Sequence, residues 1–137
     1  MPVAPRTAAI RELVPLLFVQ DLTRSLAFYQ QLGFNLSGTW EPDGKLSWCR
    51  LGRAESALML QQAEEEDGPA EGRGRGVRLF FICDDVDALH AEFIGAGVTI
   101  ESPQLAFYGM KQIFLKDPDG YELCFESPTL TNDEPSL

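Results

Sequence analysis

Histidine, cysteine motifs and positive charge are all scarce in this chain, and each scarcity removes a class of function. There is one histidine, His90, in 137 residues, and the three cysteines, Cys49, Cys83 and Cys124, have no CxxC spacing. An odd number of cysteines in strand-like segments points to reduced thiols rather than a disulfide framework or a zinc site. Lysine and arginine number 11 against 21 aspartates and glutamates, for a net charge of −10. With no basic stripe to offset phosphate repulsion, nucleic acid and anionic membrane surfaces are poor partners. No apolar run approaches the roughly 20 residues of a membrane span, and MPVAPRTAAIRE lacks the apolar core of a signal peptide, so a cytoplasmic location is expected.

What the chain does have is an internal echo. Sliding it by sixty-four residues lays RLFFICDDVDALHAEFIGAG (78–97) under VPLLFVQDLTRSLAFYQQLG (14–33), with Asp85 beneath Asp21 and Gly97 beneath Gly33. Each copy reads as an apolar strand, an acidic N-cap, an amphipathic helix and a glycine stop. A unit this short cannot bury its apolar face alone, so two of them pair.

Read in order, residues 1–11 form a loose lead-in and the first strand spans 12–19. Pro15 lies inside that strand and marks an edge or a bulge, because proline cannot donate to the ladder. A helix over 22–32 follows, then strands at 34–40, 45–51 and 56–62, with EPDG as a tight turn. AEEEDGPAEGRGRG (63–76) reads as a solvated linker. Its GRGRG lacks the Lys-Ser/Thr ending of a phosphate loop and is read as a flexible joint. The second unit has strands at 77–83, 98–101, 108–116 and 121–127, and a helix over 86–94. The last two strands are joined by Asp117-Pro118-Asp119-Gly120, a turn sequence. The tail, 128–137, is polar and frayed. The fold class is α+β, one domain over 12–127 made of two βαβββ modules, 12–62 and 77–127.

FVQDLTRSLAFYQQLGF, FICDDVDALHAEFIGAGV and above all FLKDPDGYELCFE resemble the vicinal oxygen chelate superfamily, the glyoxalase, bleomycin-resistance and extradiol-dioxygenase group, over about residues 12–127. The resemblance implies a mixed sheet curved around a cavity and a homodimer that completes or doubles the sites. It also implies four metal-ligand positions, which fall here on Val14, Met59, Arg78 and Cys124. None of these is His, Asp or Glu, and a permanent cation at Arg78 repels a metal ion. No metal and no cofactor are therefore expected.

A metal-free cavity turns attention to the other residues of these strands. Trp40, Trp48 and Tyr108 border the opening and suit a flat or conjugated ligand. Glu122, Cys124 and Glu126 share one strand face by the period of two. Either the two carboxylates line the cavity and attract a positive group, or they are solvated at the strand ends, or one of them pairs with Arg78. By alternation Leu16 and Phe18 share the face of Val14, and Phe80 and Ile82 that of Arg78. Phe80, inside an apolar run, is nonetheless read as core, and His90, mid-helix, as a solvated or partly packed surface residue. The functional expectation is a metal-independent protein of the bleomycin-resistance type that binds a small aromatic or cationic molecule. The alternative is a glyoxalase-type lyase or isomerase, or a dioxygenase, with its metal held at shifted positions such as Glu122 or Glu126. A third possibility is a structural domain whose own side chains fill the cavity.

Overall fold

A computed structural model describes residues 7–129. Of the two expected flexible ends, residues 1–6 and 130–137 lie outside it. The element order is β1 (Leu16–Val19), α1 (Leu22–Gln31), β2 (Asn35–Trp40), β3 (Trp48–Arg53), β4 (Ser56–Gln62), β5 (Arg78–Ile82), α2 (Val86–Gly95), β6 (Gln104–Leu105), β7 (Met110–Lys116) and β8 (Glu122–Pro128). These make two four-stranded sheets of the same topology, β1-β4-β3-β2 and β5-β8-β7-β6. In each, the first strand runs parallel to the last and the other pairs are antiparallel. This is the doubled βαβββ arrangement that the repeat predicts.

The local signals act as expected. Asp21 and Asp85 each accept a hydrogen bond from the backbone N–H three residues on, capping α1 and α2. Gly33 and Gly97, at φ 85° and 89°, reverse the chain after the helices in the left-handed region that glycine enters freely. Strand limits differ more. Pro15 precedes β1 but still pairs through its carbonyl, which accepts from Met59 N–H. Because β1 is an edge strand, the missing proline N–H costs no ladder bond. The strand expected at 98–101 is irregular, and the short β6 lies a few residues later.

The registers fix the internal equivalence. Leu16 partners Met59 as Phe80 partners Cys124, so the offset between modules is 64 in the first strand and 65 in the last. Leu17, Val19, Cys49, Leu51, Leu58 and Leu60 of the first sheet face the helices, as do Ile113, Leu115, Leu123 and Phe125 of the second. They form one continuous core with Leu22, Tyr29, Leu32, Val86, Leu89 and Phe93 of the helices. An aromatic chain, Phe28–Tyr29–Phe34–Phe81–Phe125–Phe93, threads it from one module to the other at centroid spacings of 4.7 to 6.0 Å.

Each module's last hairpin grips the other module's helix. Asp117, in the β7–β8 turn, accepts from the Tyr29 hydroxyl of α1 at 2.7 Å and from the N–H groups of Asp119 and Tyr121 at 2.9 Å. Arg53, which enters the β3–β4 turn, meets Glu92 of α2 through two hydrogen bonds of 2.7 and 2.9 Å and also donates to the Leu32 carbonyl. The linker is held as well. Arg73, with 8% of its side chain exposed, bonds Asp119, Gln20 and the Gly68 carbonyl. A Cβ at Gly74 would lie 2.5 Å from the Tyr121 ring. The flexible joint expected at 72–76 is therefore a docked segment, because it has a buried cation and a ring to pack against.

Burial raises the Asp117 carboxyl above the usual carboxylate range, against the opposing pull of its three hydrogen bonds. Burial, then Asp117 itself, holds the Tyr29 phenol far above its ordinary value. Removing the hydroxyl in Tyr29→Phe leaves a buried acceptor short of a donor, at an expected cost of about 1–3 kcal/mol in urea unfolding. The folded chain holds the Asp117 proton to higher pH than the unfolded chain does. Its contribution is thus complete below the unfolded value of about 3.9 and is lost as pH rises through the raised folded value. The difference in unfolding midpoint between wild type and Asp117→Asn should therefore shrink from acid toward neutral pH, and a difference that grows with pH would show the hydrogen bonds outweighing burial.

Candidate functional site

Each sheet has one face on the core and one face turned away from it. On the first sheet the outward face carries Leu16 and Phe18 of β1, Met59 and Gln61 of β4, Trp48 and Arg50 of β3, and Trp40 of β2. Trp40 and Trp48 are directly opposite each other on the antiparallel ladder, and Trp40 is 60% exposed. They border a recess of about 700 Å3 that also takes in Pro42, Ser47, Gln61 and Glu64. Arg50, beside Trp48 on this face, is neutralised by Glu12 at 2.9 Å.

On the second sheet the outward face carries Arg78, Phe80 and Ile82 of β5, Glu122, Cys124 and Glu126 of β8, and Gln112, Phe114 and Lys116 of β7. Arg78 pairs with Glu122 at 3.1 Å, both half exposed, and its guanidinium sits 5.6 Å from the centre of the Phe114 ring. Glu126 is different. It is only 6% exposed, and its Oε1 accepts from the Tyr108 hydroxyl at 2.9 Å and from the Gln112 amide at 2.8 Å. Gln112 also donates to the Tyr108 hydroxyl, so the three side chains form a closed triangle. Glu126 Oε2 makes no hydrogen bond among the described residues. At the Arg78 end, a cavity of about 770 Å3 extends from Phe114 and Glu122 toward Phe28 and Gln31 of α1.

Cys124 is fully buried between these groups, and its thiol is pushed up to about 11 by burial and then by the Glu126 carboxylate, against the pull of Arg78. At neutral pH it is a protonated thiol with no histidine near it in sequence, which is no nucleophile. His90 lies on α2 with its Nε2 buried and unpartnered.

The structure joins the second-sheet residues singled out from sequence and separates them from the tryptophans. Arg78 and Glu122 are an ion pair; Tyr108, Cys124 and Glu126 are neighbours; Trp40 and Trp48 occupy the other sheet. Two expectations need correction. Phe80 is 46% exposed rather than core, because Leu79 and Phe81 are the residues of β5 that turn inward. Tyr108 lies in the turn before β7 rather than in a strand, and reaches the sheet through its hydroxyl. Gln112 was not singled out. Its signal is positional: the turn at 117–120 sets a hairpin register that puts residue 112 opposite residue 126.

The positions assigned to metal ligands by resemblance do not suit a divalent ion. Met59 and Cys124 occupy equivalent rungs in the two sheets, and Arg78 brings its own charge, already paired with Glu122. A hydrocarbon, a thioether, a guanidinium and a buried protonated thiol offer no hard oxygen or imidazole donor. Among the described residues no group of three or more His, Cys, Asp or Glu is arranged to hold a metal ion elsewhere. No helix there is long and apolar enough to cross a membrane.

Solved structures similar to this one include a bleomycin-binding protein in complex with bleomycin, at TM-score 0.69 and 21% identity over 86% of this chain and 98% of that one. A bleomycin resistance determinant encoded on the transposon Tn5 matches at TM-score 0.71 and 21% identity, over 88% of this chain and 100% of that one. TnmS3, an antibiotic-binding protein from Streptomyces sp. CB03234, matches at 0.65 and 24%, over 90% of this chain and 100% of that one. At these identities the likeness is one of fold. No curated protein sequence matches the chain. The family model of the glyoxalase/bleomycin resistance protein/dioxygenase superfamily matches residues 10–125, nearly the whole of the doubled βαβββ framework, and the chain belongs to that superfamily.

Proposed function

We propose that this protein binds and sequesters a small aromatic or cationic molecule on its outward sheet faces, without a metal. The observation that carries the reading is the cross-strand pair Trp40 and Trp48, left out of the core in a recess large enough for a drug-sized ligand. Large aromatic side chains kept away from a core that is otherwise well filled give up hydrophobic burial, and a stacking partner restores it. Trp40 and Trp48 supply the stacking surface. Glu126, with one oxygen tied and the other free, attracts a positive group, while Tyr108 and Cys124 shape the wall and Glu122 is held by Arg78. The antibiotic-binding proteins of the same fold lend support to the reading.

The ligand sites are shared between two copies. The outward faces leave Leu16, Phe80, Ile82 and Phe114 exposed, and a second copy of the chain would cover them. The metal-dependent alternative has less to rest on, since Glu122 is engaged by Arg78 and one oxygen of Glu126 by Tyr108 and Gln112.

Bleomycin, titrated while tryptophan emission is followed, is expected to quench it saturably, and Trp40→Ala should weaken binding by about tenfold. Unchanged affinity in that variant would remove the tryptophans from the site; no response to bleomycin or to a panel of cationic aromatic antibiotics would end the sequestering reading. Nickel, zinc, manganese and ferrous iron should each leave the thermal unfolding midpoint where it is, whereas a rise with any of them would establish a metal site at other residues. Sedimentation equilibrium should return twice the chain mass, and a monomer throughout the micromolar range would refute the shared sites.

A further inference from the structure

A third recess, apart from the tryptophan pair and from the cavity beside Arg78, opens where the two modules meet. It measures about 430 Å3 and lies between the β3–β4 turn and the start of α2. Its floor is Phe34, Phe81 and Phe125, with Leu89 beside them. Phe81 stacks on Phe125 at 4.7 Å with 15° between the planes, and meets Phe34 edge-on at 5.7 Å. Phe34 and Phe125 are only 2% and 3% exposed, so the open surface of the floor is chiefly that of the partly buried Phe81, against which another aromatic ring can settle.

The walls narrow the chemistry. Cys83 contributes a half-buried thiol that donates to the Glu126 carbonyl at 3.5 Å. Burial, with Asp84 and Asp85 adding to it, holds that thiol above its ordinary value, so at neutral pH it is an uncharged wall group. At the rim the one cation, Arg53, is taken up by Glu92 and the Leu32 carbonyl. Glu55 and Asp84, also at the rim, have no ion-pair partner among the described residues. The opening is thus apolar below and negative above, which disfavours an anion.

We propose that this recess is a separate ligand site for a small single-ring aromatic molecule, neutral or positively charged, with its ring on the phenylalanine floor and its polar end at the Glu55–Asp84 rim. Its volume falls at the small end of the range for ligand pockets. Neither tryptophan lines it, so it stands or falls independently of the proposed antibiotic site.

Cys83 makes the site testable on the intact protein, because Cys49 and Cys124 are buried and Cys83 is the thiol a reagent meets first. The native chain would be alkylated with iodoacetamide and the modification of each cysteine followed by peptide mass spectrometry. Benzyl alcohol at about 20 mM is expected to slow Cys83 alkylation by about threefold or more, while benzoate at the same concentration protects much less and tryptophan emission does not move. Ser56→Phe, which places a ring at the rim, should abolish the protection with the unfolding midpoint retained. Unchanged alkylation with benzyl alcohol, equal protection by benzoate, or full protection in Ser56→Phe would each overturn the proposal. If that variant does not fold, the comparison of benzyl alcohol with benzoate on the wild-type chain decides alone.

Discussion

The arrangement of this protein depends on where one buried carboxyl group finds its hydrogen bonds. Asp117 begins the turn between the last two strands, and a turn needs its side chain only for the local N–H groups of Asp119 and Tyr121. The remaining oxygen is taken by Tyr29, from the helix of the other module. A buried carboxyl that lost this partner would be costly, so the helix of the first half is pinned to the hairpin of the second. Neighbouring contacts follow from the same placement: Ser25 and Arg73 meet Asp119, and the Tyr121 hydroxyl donates to the Phe18 carbonyl. With the helices and the core side of both sheets gathered on this seam, the opposite faces of both sheets are left uncovered.

Much of the fold is written in local sequence. Asp21 and Asp85, Gly33 and Gly97 sit at helix ends where their side-chain or backbone chemistry allows little else, and their equal spacing exposes the duplication. The one-residue slip needed to bring Met59 over Cys124 is what the two registers contain. The inward and outward faces of β5 were harder to read. Leu79, Phe80, Phe81 and Ile82 are all apolar, and an unbroken apolar run carries no alternation. Alternation from the charged Arg78 nevertheless puts Phe80 and Ile82 on its face, and that alternation, rather than the apolar run, decides where Phe80 points.

What was not legible depends on contacts distant in sequence. That Tyr29 would reach Asp117, or Arg53 reach Glu92, follows from the way the modules dock, and no spacing announces it. The role of Gln112 is similar, because an uncharged amide inside an apolar strand gives little sign until Glu126 is known to be buried opposite. Once assembled, the two outward faces have diverged. The first is aromatic, with its one arginine neutralised by Glu12, and the second carries the Arg78–Glu122 ion pair, the sequestered Glu126 carboxyl and Lys116. The exposed tryptophan pair thus lies on one half of the repeat and the buried Glu126 carboxyl on the other.

The two hairpin grips occupy matching places in the repeat, since Arg50 pairs with Met59 as Phe114 pairs with Cys124, and Arg53 and Asp117 both follow those strands into the turn. Their chemistry nevertheless differs: one is an exposed guanidinium on a carboxylate, the other a buried carboxyl on a phenol. Two identical halves meeting about a symmetry axis would have to satisfy both places with the same residues. Joined in one chain, they are released from that demand, and each position can be tuned alone. The unequal grips also give the chain a handedness of assembly: the first half recognises the second but is a poor match for a copy of itself, so mispairing of like halves during folding is disfavoured by the same contacts that hold the native seam.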